Sequence, residues 1–303
     1  MAVPRTADKN VQMDTHIIKN IKRSVRRSIF GFFKLNARKL LKTNTMPFLQ
    51  IHLCEHCNLN CKGCAHFSPV AEKSFVDIEE LKRMYLALQP YLEKRFSRLE
   101  LMGGEPLLHP RIEDILHITR ESFPGMEIRL VTNGILIDEM PESFFHACAD
   151  DRITVYISIY PIGLDHESIR RKLDKYGIVN DFYGVKGENK KFISYRLVPA
   201  GNMDVKKNYR RCRLGGRCLQ LKDGKIYPCF PSAYAGHLNA CFHTGFSWEE
   251  NDYLPTENVS EERFHQFINE PVPFCRYCDT AHQSKFEWGI SKKDKREWLK
   301  MSD

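Results

Sequence analysis

The residues of this sequence that are best suited to chemistry are its cysteines. Eleven cysteines occur among 303 residues. Three of them have the spacing C-x3-C-x2-C, at Cys57, Cys61 and Cys64. A second set lies in the last third of the chain, at Cys212, Cys218, Cys229, Cys241, Cys275 and Cys278. Such clusters are typical of metal or iron–sulfur ligands where thiols stay reduced.

The sequence predicts a reducing location. The first 15 residues lack the apolar core of a secretory signal. Apolar stretches are far shorter than the ~20 residues that a membrane span requires. We therefore expect a cytoplasmic protein whose cysteines are not consumed by disulfides.

Composition narrows the class of protein further. Hydrophobic residues make up 42% and charged residues 28% of the chain, which excludes collagen-like, coiled-coil and wholly disordered proteins. The net charge of +8 is concentrated in residues 1–45, which contain eleven Lys or Arg and two Asp. The rest of the chain is close to neutral, so we expect no nucleic-acid binding.

Residues 1–45 are predicted to form a basic N-terminal extension. Apolar residues recur every four positions from Ile17 to Ile29, and basic residues fill the other side, which predicts an amphipathic helix. Two interpretations stay open. The helix attaches to an anionic membrane surface or a partner, or it packs on its own domain with a solvated basic face.

From Met46 onward, short apolar segments alternate with helical patterns. We expect strands at residues 48–53, 99–102, 127–131, 153–159, 178–183 and 192–197. We expect helices at residues 78–94, 111–122, 141–148 and 165–177. Alternating strands and helices of this length predict parallel strands with helical crossovers, in an open or barrel-like α/β fold.

Residues 201–303 lack this regularity. They are rich in Cys, Gly, Pro and aromatic residues, and they contain one clear hairpin, at residues 219–228 with a turn at Asp223-Gly224. A segment this irregular is expected to depend on bound metal for stability. We therefore predict domains at 46–200 and 201–303.

Polar and glycine-rich motifs follow the predicted strands at regular intervals. Gly103-Gly104-Glu105-Pro106 follows the second strand, Asn133 follows the third, and Ser158 lies near the end of the fourth. Together with Cys57, Cys61 and Cys64, this order resembles the radical S-adenosylmethionine (SAM) superfamily. The resemblance implies a partial (β/α)6 TIM-like barrel over residues 46–200. It also implies a [4Fe–4S] cluster on the three cysteines, and SAM contacts from Gly103, Gly104, Glu105, Pro106, Asn133 and Ser158.

Two features depart from that family pattern. The family usually has an aromatic residue before the third cysteine, where this chain has Gly63, so His66 or Phe67 is expected to replace it. Cys54 would allow a closed four-thiolate cluster or a structural zinc site, but that alternative leaves the Gly-Gly-Glu-Pro segment unexplained.

The second cysteine set resembles the twitch domain, a shortened relative of the SPASM domain. The resemblance implies a second [4Fe–4S] cluster held by Cys212, Cys229, Cys275 and Cys278. Cys218 would lie opposite Cys229 in the hairpin and is an alternative to Cys212. A structural zinc ribbon is the alternative to the cluster.

The leading functional hypothesis is a radical SAM oxidoreductase acting on a hydroxylated small molecule such as a sugar, nucleotide sugar or aminocyclitol. The second cluster would accept an electron, and a flavodoxin or ferredoxin would supply electrons to the first. One alternative is an epimerase with Cys241 as hydrogen donor. Others are a peptide maturase and a non-enzymatic scaffold stapled by metal.

Overall fold

The computed structural model describes residues 46–184, 191–257, 259–283 and 285–301. The predicted basic helix of residues 1–45 lies outside the described residues. The strands are β1 (Phe48–Cys54), β2 (Leu99–Gly103), β3 (Ile128–Thr132), β4 (Thr154–Ile159), β5 (Asn180–Gly184), β6 (Lys191–Ile193), β7 (Cys218–Lys222), β8 (Lys225–Tyr227), β9 (Leu254–Pro255) and β10 (Lys285–Glu287).

The described strands form one large sheet and one small ribbon. The large sheet has the order β5-β4-β3-β2-β1-β7-β8-β9, and β6 pairs with β10 in the ribbon. Strands β5 to β1 and β7 are parallel to their neighbours, whereas β8 and β9 are antiparallel. A parallel sheet with helical crossovers confirms the predicted α/β fold class.

Helices connect the parallel strands. The helices within the described residues are α1 (Ile78–Arg95), α2 (Ile112–Ser122), α3 (Glu142–Asp150), α4 (His166–Lys175), α5 (Val205–Arg211), α6 (Phe230–Tyr234), α7 (Gly236–Phe242) and α8 (Glu261–Asn269). Several begin at side-chain caps. Asp77 accepts a hydrogen bond from the Glu80 amide before α1, and Asp165 accepts one from Ser168 before α4.

The two faces of the parallel sheet differ in polarity. One face is apolar and belongs to the buried core, with Leu49, Ile51 and Leu53 of β1 almost fully buried. The opposite face carries polar side chains in register across neighbouring strands: Gln50 of β1 lies beside Glu100 of β2 and Gln220 of β7. The Gln50 amide donates to Glu100 Oε2 at 2.7 Å and its oxygen accepts from Gln220 at 2.8 Å. The sheet therefore presents one polar face.

The sixth strand of the predicted series was placed wrongly. Only Lys191–Ile193 is a strand in that region, and it pairs antiparallel with β10 outside the large sheet. The sixth parallel strand is β7, which pairs with β1 at the other side of the sheet. Adjacency in the chain suggested that residues 192–197 would extend the series, but β1 had its second edge filled by a segment from the C-terminal third.

The predicted hairpin is confirmed. Strands β7 and β8 pair with Lys222 opposite Lys225, and the turn residues Asp223 and Gly224 have φ angles of 49° and 67°. Positive φ at both positions matches the sharp twist of a two-residue turn. Since β7 belongs to the large sheet, the C-terminal third is joined to the strands that precede it. The division at residues 200 and 201 stays a prediction.

Within the part of the chain that the structure describes, every helix is too short or too polar to cross a bilayer.

Candidate functional site

The loop that leaves β1 carries the first three predicted ligands. We call residues 55–66 the first thiol loop. Burial raises the pKa of the Cys57 and Cys61 thiols to about 12, and the nearby thiols of the loop act in the same direction. Burial also raises the pKa of Cys64. Three thiols gathered in a buried loop need a cationic group to stabilise their thiolates, so this donor set fits an iron–sulfur cluster.

Cys54 faces away from a ligand role. Its thiol donates to the carbonyl oxygens of His56 and Glu105, both at 3.0 Å. The Gly104 amide returns a hydrogen bond to the Cys54 carbonyl at 2.8 Å. Cys54 therefore ties the first thiol loop to the Gly-Gly-Glu-Pro segment.

The glycines of that segment allow two backbones to approach closely. A Cβ atom on Gly103 would lie 2.2 Å from the Cys54 carbonyl oxygen, and one on Gly104 would lie 1.9 Å from the His56 carbonyl oxygen. No side chain fits at either distance. The motif thus packs directly behind the first thiol loop, and Pro106 begins a short 3-10 helix after it.

Glu105 is fully buried at the centre of this arrangement. Its carboxylate accepts hydrogen bonds from Thr132 Oγ1 at 2.6 Å, the Asn133 amide at 2.9 Å and the Leu107 amide at 3.1 Å. Burial raises the pKa of Glu105 to about 7, although these hydrogen bonds act in the opposite direction. In this structure Glu105 braces the ends of β2 and β3; a contact with SAM stays a prediction.

Asn133 reaches the first thiol loop directly. Its side-chain amide donates to Asn58 Oδ1 at 2.7 Å and lies 3.7 Å from Cys57 Sγ. Ser158, half-buried near the end of β4, lies beside Tyr183 of β5. Two residues later, burial and then the Cys61, Cys64 and Cys57 thiols raise the pKa of Tyr160 well above its usual value. The end of β4 therefore lies near the same thiols.

Sequence reasoning missed the C-terminal residues that cover this loop. The Trp288 indole donates to Cys61 Sγ at 3.2 Å, and the Trp298 indole donates to the Cys64 carbonyl at 2.9 Å. Glu297 accepts from the Gly63 amide at 3.0 Å. No spacing rule links these residues to a loop more than 220 positions earlier; their only sequence signal is an aromatic-rich C-terminus.

The second thiol group brings together four cysteines that are distant in sequence. Cys212 caps the end of α5, Cys229 precedes α6, and Cys275 and Cys278 lie on a 3-10 turn. Burial, followed by the thiols of Cys278, Cys212 and Cys275, raises the pKa of Cys229 well above its usual value. Burial, Cys275 and Cys212 do the same for Cys278. The four thiols are therefore mutual neighbours, and they fit a second cluster.

Cys218 lies apart from that group in its contacts. Its thiol donates to Gln50 Oε1 at 3.0 Å on the polar face of the sheet. A hairpin places Cys218 opposite Cys229 only in register, since the side chain of Cys218 points toward β1. The structure thus groups Cys212, and not Cys218, with the other three cysteines.

Asn208 is a further residue that sequence reasoning missed. It is buried on α5, and its side-chain amide donates to the carbonyl oxygens of Cys275, at 2.9 Å, and Cys278. Its oxygen accepts from Thr280 Oγ1 at 2.9 Å. Asn208 therefore holds the C-x2-C turn of the second thiol group.

The structure leaves Cys241 apart from both thiol groups. It is exposed on α7. On the same helix His237 binds Glu55 of the first thiol loop, with His237 Nε2 3.0 Å from Glu55 Oε2. The role of Cys241 as a hydrogen donor stays a prediction.

Neither thiol group is arranged as a single-ion site. Among the described residues, no three His, Cys, Asp or Glu side chains converge closely enough to hold one metal ion. In an iron–sulfur cluster each thiolate binds a different iron, so the sulfur atoms need not converge on one point.

Comparison with known proteins agrees with this geometry. Residues 51–180 match the Radical SAM superfamily. A GTP 3',8-cyclase from Microcystis aeruginosa is 30% identical over 108 residues, covering 34% of this chain and 32% of that protein. One from Chlorobaculum tepidum is 28% identical over 120 residues, covering 38% and 35%. The chain thus matches about a third of the length of these curated relatives.

Two solved structures share part of the arrangement. BtrN in complex with AdoMet and 2-DOIA has a TM-score of 0.47 and 16% identity, over 76% of this chain and 85% of that chain. Native anSMEcpe with bound AdoMet and Kp18Cys peptide has a TM-score of 0.42 and 16% identity, over 82% and 92%. The family match covers β1 to the start of β5 and includes the whole first thiol loop. Residues 51–180 therefore form a radical SAM superfamily domain, and the protein is a radical SAM enzyme.

Proposed function

We propose that this protein is a radical SAM oxidoreductase that removes hydrogen from a hydroxylated small molecule such as a sugar, nucleotide sugar or aminocyclitol. The observation that carries the proposal is the second thiol group. Cys212, Cys229, Cys275 and Cys278 lie outside the matched domain and come together from three separate segments. A second one-electron centre is what an oxidation by this chemistry requires.

The electron balance explains that requirement. When bound on the first thiol loop, the cluster and SAM supply a 5′-deoxyadenosyl radical that takes one hydrogen atom from substrate carbon. Conversion of an alcohol to a ketone removes two electrons and two protons in total. The hydrogen atom accounts for one of each, so one electron needs an acceptor near the substrate. The second thiol group would hold that acceptor as a [4Fe–4S] cluster.

The chain's own residues have three tasks in this proposal. Cys57, Cys61 and Cys64 bind the first cluster. Gly103, Gly104, Glu105, Pro106, Asn133 and Ser158 position SAM behind and beside the first thiol loop. Glu105 does so by keeping β2 and β3 in register through three buried hydrogen bonds.

The polar face of the sheet supports a hydroxylated substrate. Gln50, Glu100 and Gln220 form a buried hydrogen-bonded row across three strands. An apolar substrate on this face would leave polar groups without partners, which costs free energy, whereas hydroxyl groups can replace water as partners. A sugar or cyclitol is the class of molecule that fits this chemistry.

The decisive experiment is anaerobic reconstitution of the full chain, followed by iron, sulfide and zinc analysis and a test for SAM cleavage to 5′-deoxyadenosine. We expect iron and sulfide for two [4Fe–4S] clusters. Replacement of Cys57, Cys61 and Cys64 by Ala should abolish SAM cleavage and leave the second cluster. The matched variant with Cys275→Ala and Cys278→Ala should lose the second cluster but retain cleavage. Zinc without sulfide would instead support the scaffold alternative.

The reaction itself is tested with a panel of sugars, nucleotide sugars and aminocyclitols, with GTP included because the curated relatives bear the name GTP 3',8-cyclase. Formation of a ketone together with 5′-deoxyadenosine supports the oxidoreductase. Solvent deuterium at carbon in an inverted product supports the epimerase. Turnover only with a peptide supports the maturase.

Two partners belong to the proposal. A flavodoxin or ferredoxin would reduce the first cluster, and its addition should accelerate SAM cleavage. The basic charge of residues 1–45 favours contact with an anionic membrane surface. Sedimentation with anionic vesicles, compared with neutral vesicles, tests that contact; equal binding to both would contradict it.

A further inference from the structure

The C-terminal residues 285–299, here called the closing segment, lie along the first thiol loop. The Lys62 amide donates to the Gly289 carbonyl at 2.7 Å, and the Ser291 amide donates to the Asn60 carbonyl at 2.8 Å. These bonds flank a bridge between Cys61 and Ile290. The closing segment therefore pairs with the loop much as one strand pairs with another.

Side chains of the closing segment complete this attachment. Glu297 accepts hydrogen bonds from the Gly63 amide at 3.0 Å, from Ser291 Oγ at 2.8 Å and from the Lys292 amide at 2.8 Å. A Cβ atom on Gly63 would lie 3.0 Å from Cζ of Phe286, so the Phe286 ring fills the space beside that glycine. The loop is thus held by backbone and side chains together.

One contact reaches a predicted ligand atom itself. Trp288 Nε1 lies 3.2 Å from Cys61 Sγ, in hydrogen-bonding range for a sulfur acceptor. Cys61 is buried, and Trp288 is half-buried. In contrast, the Trp298 indole donates to the carbonyl oxygen of Cys64 and not to its sulfur. The closing segment therefore supplies one indole to a sulfur and one to the backbone of the same loop.

We infer that Trp288 is a positioning residue that raises the reduction potential of the cluster on the first thiol loop. The inference rests on the proposed function, because it needs a cluster at Cys57, Cys61 and Cys64. A reduced cluster carries more negative charge on its thiolate sulfurs than an oxidised one. A donor aimed at a ligand sulfur therefore stabilises the reduced state more, and burial strengthens the interaction.

The test is a redox titration of the reconstituted full chain, followed by electron paramagnetic resonance. Trp288→Phe keeps an aromatic ring and removes the N–H donor. We expect the first cluster to become harder to reduce, with a several-fold lower ratio of reduced to oxidised cluster at a fixed solution potential. The second cluster, measured in the same sample, should keep its potential.

The matched control is Trp298→Phe, which removes an indole donor from the same loop but not from a sulfur. It should leave the first cluster's potential close to that of the unaltered protein. Replacement of Trp288 by β-(3-benzothienyl)alanine repeats the test with the bicyclic shape preserved and the N–H absent. It should shift the potential in the same direction as Trp288→Phe.

The possible results separate the inference from the proposed function. An unchanged potential in both Trp288 variants, with the cluster present, would overturn the role of Trp288 and leave the proposed function intact. An equal shift in Trp298→Phe would overturn it too, because a general loosening of the loop would explain both. Absence of a cluster at this loop in the unaltered protein would overturn the proposed function, and the role of Trp288 with it.

Discussion

The two thiol groups of this protein are built in opposite ways. The first occupies eight consecutive positions of one loop, from Cys57 to Cys64, directly after β1. The second draws Cys212, Cys229 and the Cys275–Cys278 pair from separate parts of the C-terminal third. A local group can be recognised from spacing alone, whereas a dispersed group depends on every element that brings its members together.

The surroundings of the two groups narrow this contrast. The first thiol loop is local in its cysteines but not in its support, because Gly104, Asn133, Trp288 and Glu297 contact it from four other regions. The second group has a compact support, in which Asn208 contacts the carbonyls of both Cys275 and Cys278. Local sequence therefore does not mean local stabilisation, and the following substitutions test this directly.

The largest expected effect is at the back of the first thiol loop. Gly104→Ala would place a Cβ atom 1.9 Å from the His56 carbonyl oxygen and 2.9 Å from the Cys57 amide nitrogen. Backbone atoms cannot move aside as a flexible side chain can, so we expect a loss of at least ~2 kcal/mol in the free energy of unfolding. Denaturant unfolding of the apoprotein measures this loss, and iron analysis should show impaired assembly of the first cluster.

Gly236→Ala is the matched control for that experiment. Gly236 lies at the start of α7, and a Cβ atom there meets nothing within 4 Å. We expect little change in stability and normal iron content. If Gly104→Ala were as stable as Gly236→Ala, the close approach of the two backbones would not be a requirement of the fold.

A smaller and more selective effect is expected at the second thiol group. Asn208→Ala would leave the buried carbonyl oxygens of Cys275 and Cys278 without their donor, at a cost of about 1–3 kcal/mol. We expect loss of iron from the second cluster while SAM cleavage at the first continues. Asn239→Ala is the control, because Asn239 braces residues 244 and 246 in the same way, away from the thiols. Equal iron loss in both variants would contradict a specific role.

The sequence predicted the parts of this structure whose causes are local. The parallel strands through β5, their helices and the β7–β8 turn follow from apolar periodicity, caps and turn residues. The spacing of Cys57, Cys61 and Cys64 is likewise local. The pairing of β7 with β1, the grouping of Cys212 over Cys218 and the attachment of Trp288 depend on long-range packing, which no single segment encodes. Residue 63 illustrates the difference: a glycine looks like a missing aromatic until Phe286 is seen beside it.

The brace behind the first loop predicts a pH dependence. Burial raises the pKa of Glu105 to about 7 in the folded protein, above the value of 4.5 expected for an exposed carboxyl group. The folded state therefore binds a proton more tightly than the unfolded state. Between about pH 4.5 and pH 7 the contribution of Glu105 to stability falls as the pH rises, by roughly 3 kcal/mol in total.

The matched variant for this effect is Glu105→Gln, which keeps the size of the side chain and removes its titration. The fall in the free energy of unfolding between pH 4.5 and pH 7 should be smaller in the variant than in the unaltered apoprotein. The comparison is made by denaturant unfolding across this range. Parallel curves would show that Glu105 does not titrate differently in the folded and unfolded states.

The smallest effect is expected at the cysteine that belongs to neither thiol group. Cys241 is exposed on α7, whereas Leu238 of the same helix is buried, so the helix turns its apolar side inward and Cys241 outward. An epimerase needs a thiol beside the substrate radical, and a thiol in solvent does not meet that need. Once a substrate is known, Cys241→Ala should preserve ketone formation and change stability by no more than about 0.5 kcal/mol. If the variant instead consumes SAM without its normal product, and the unaltered protein places solvent deuterium on product carbon, the epimerase replaces the oxidoreductase.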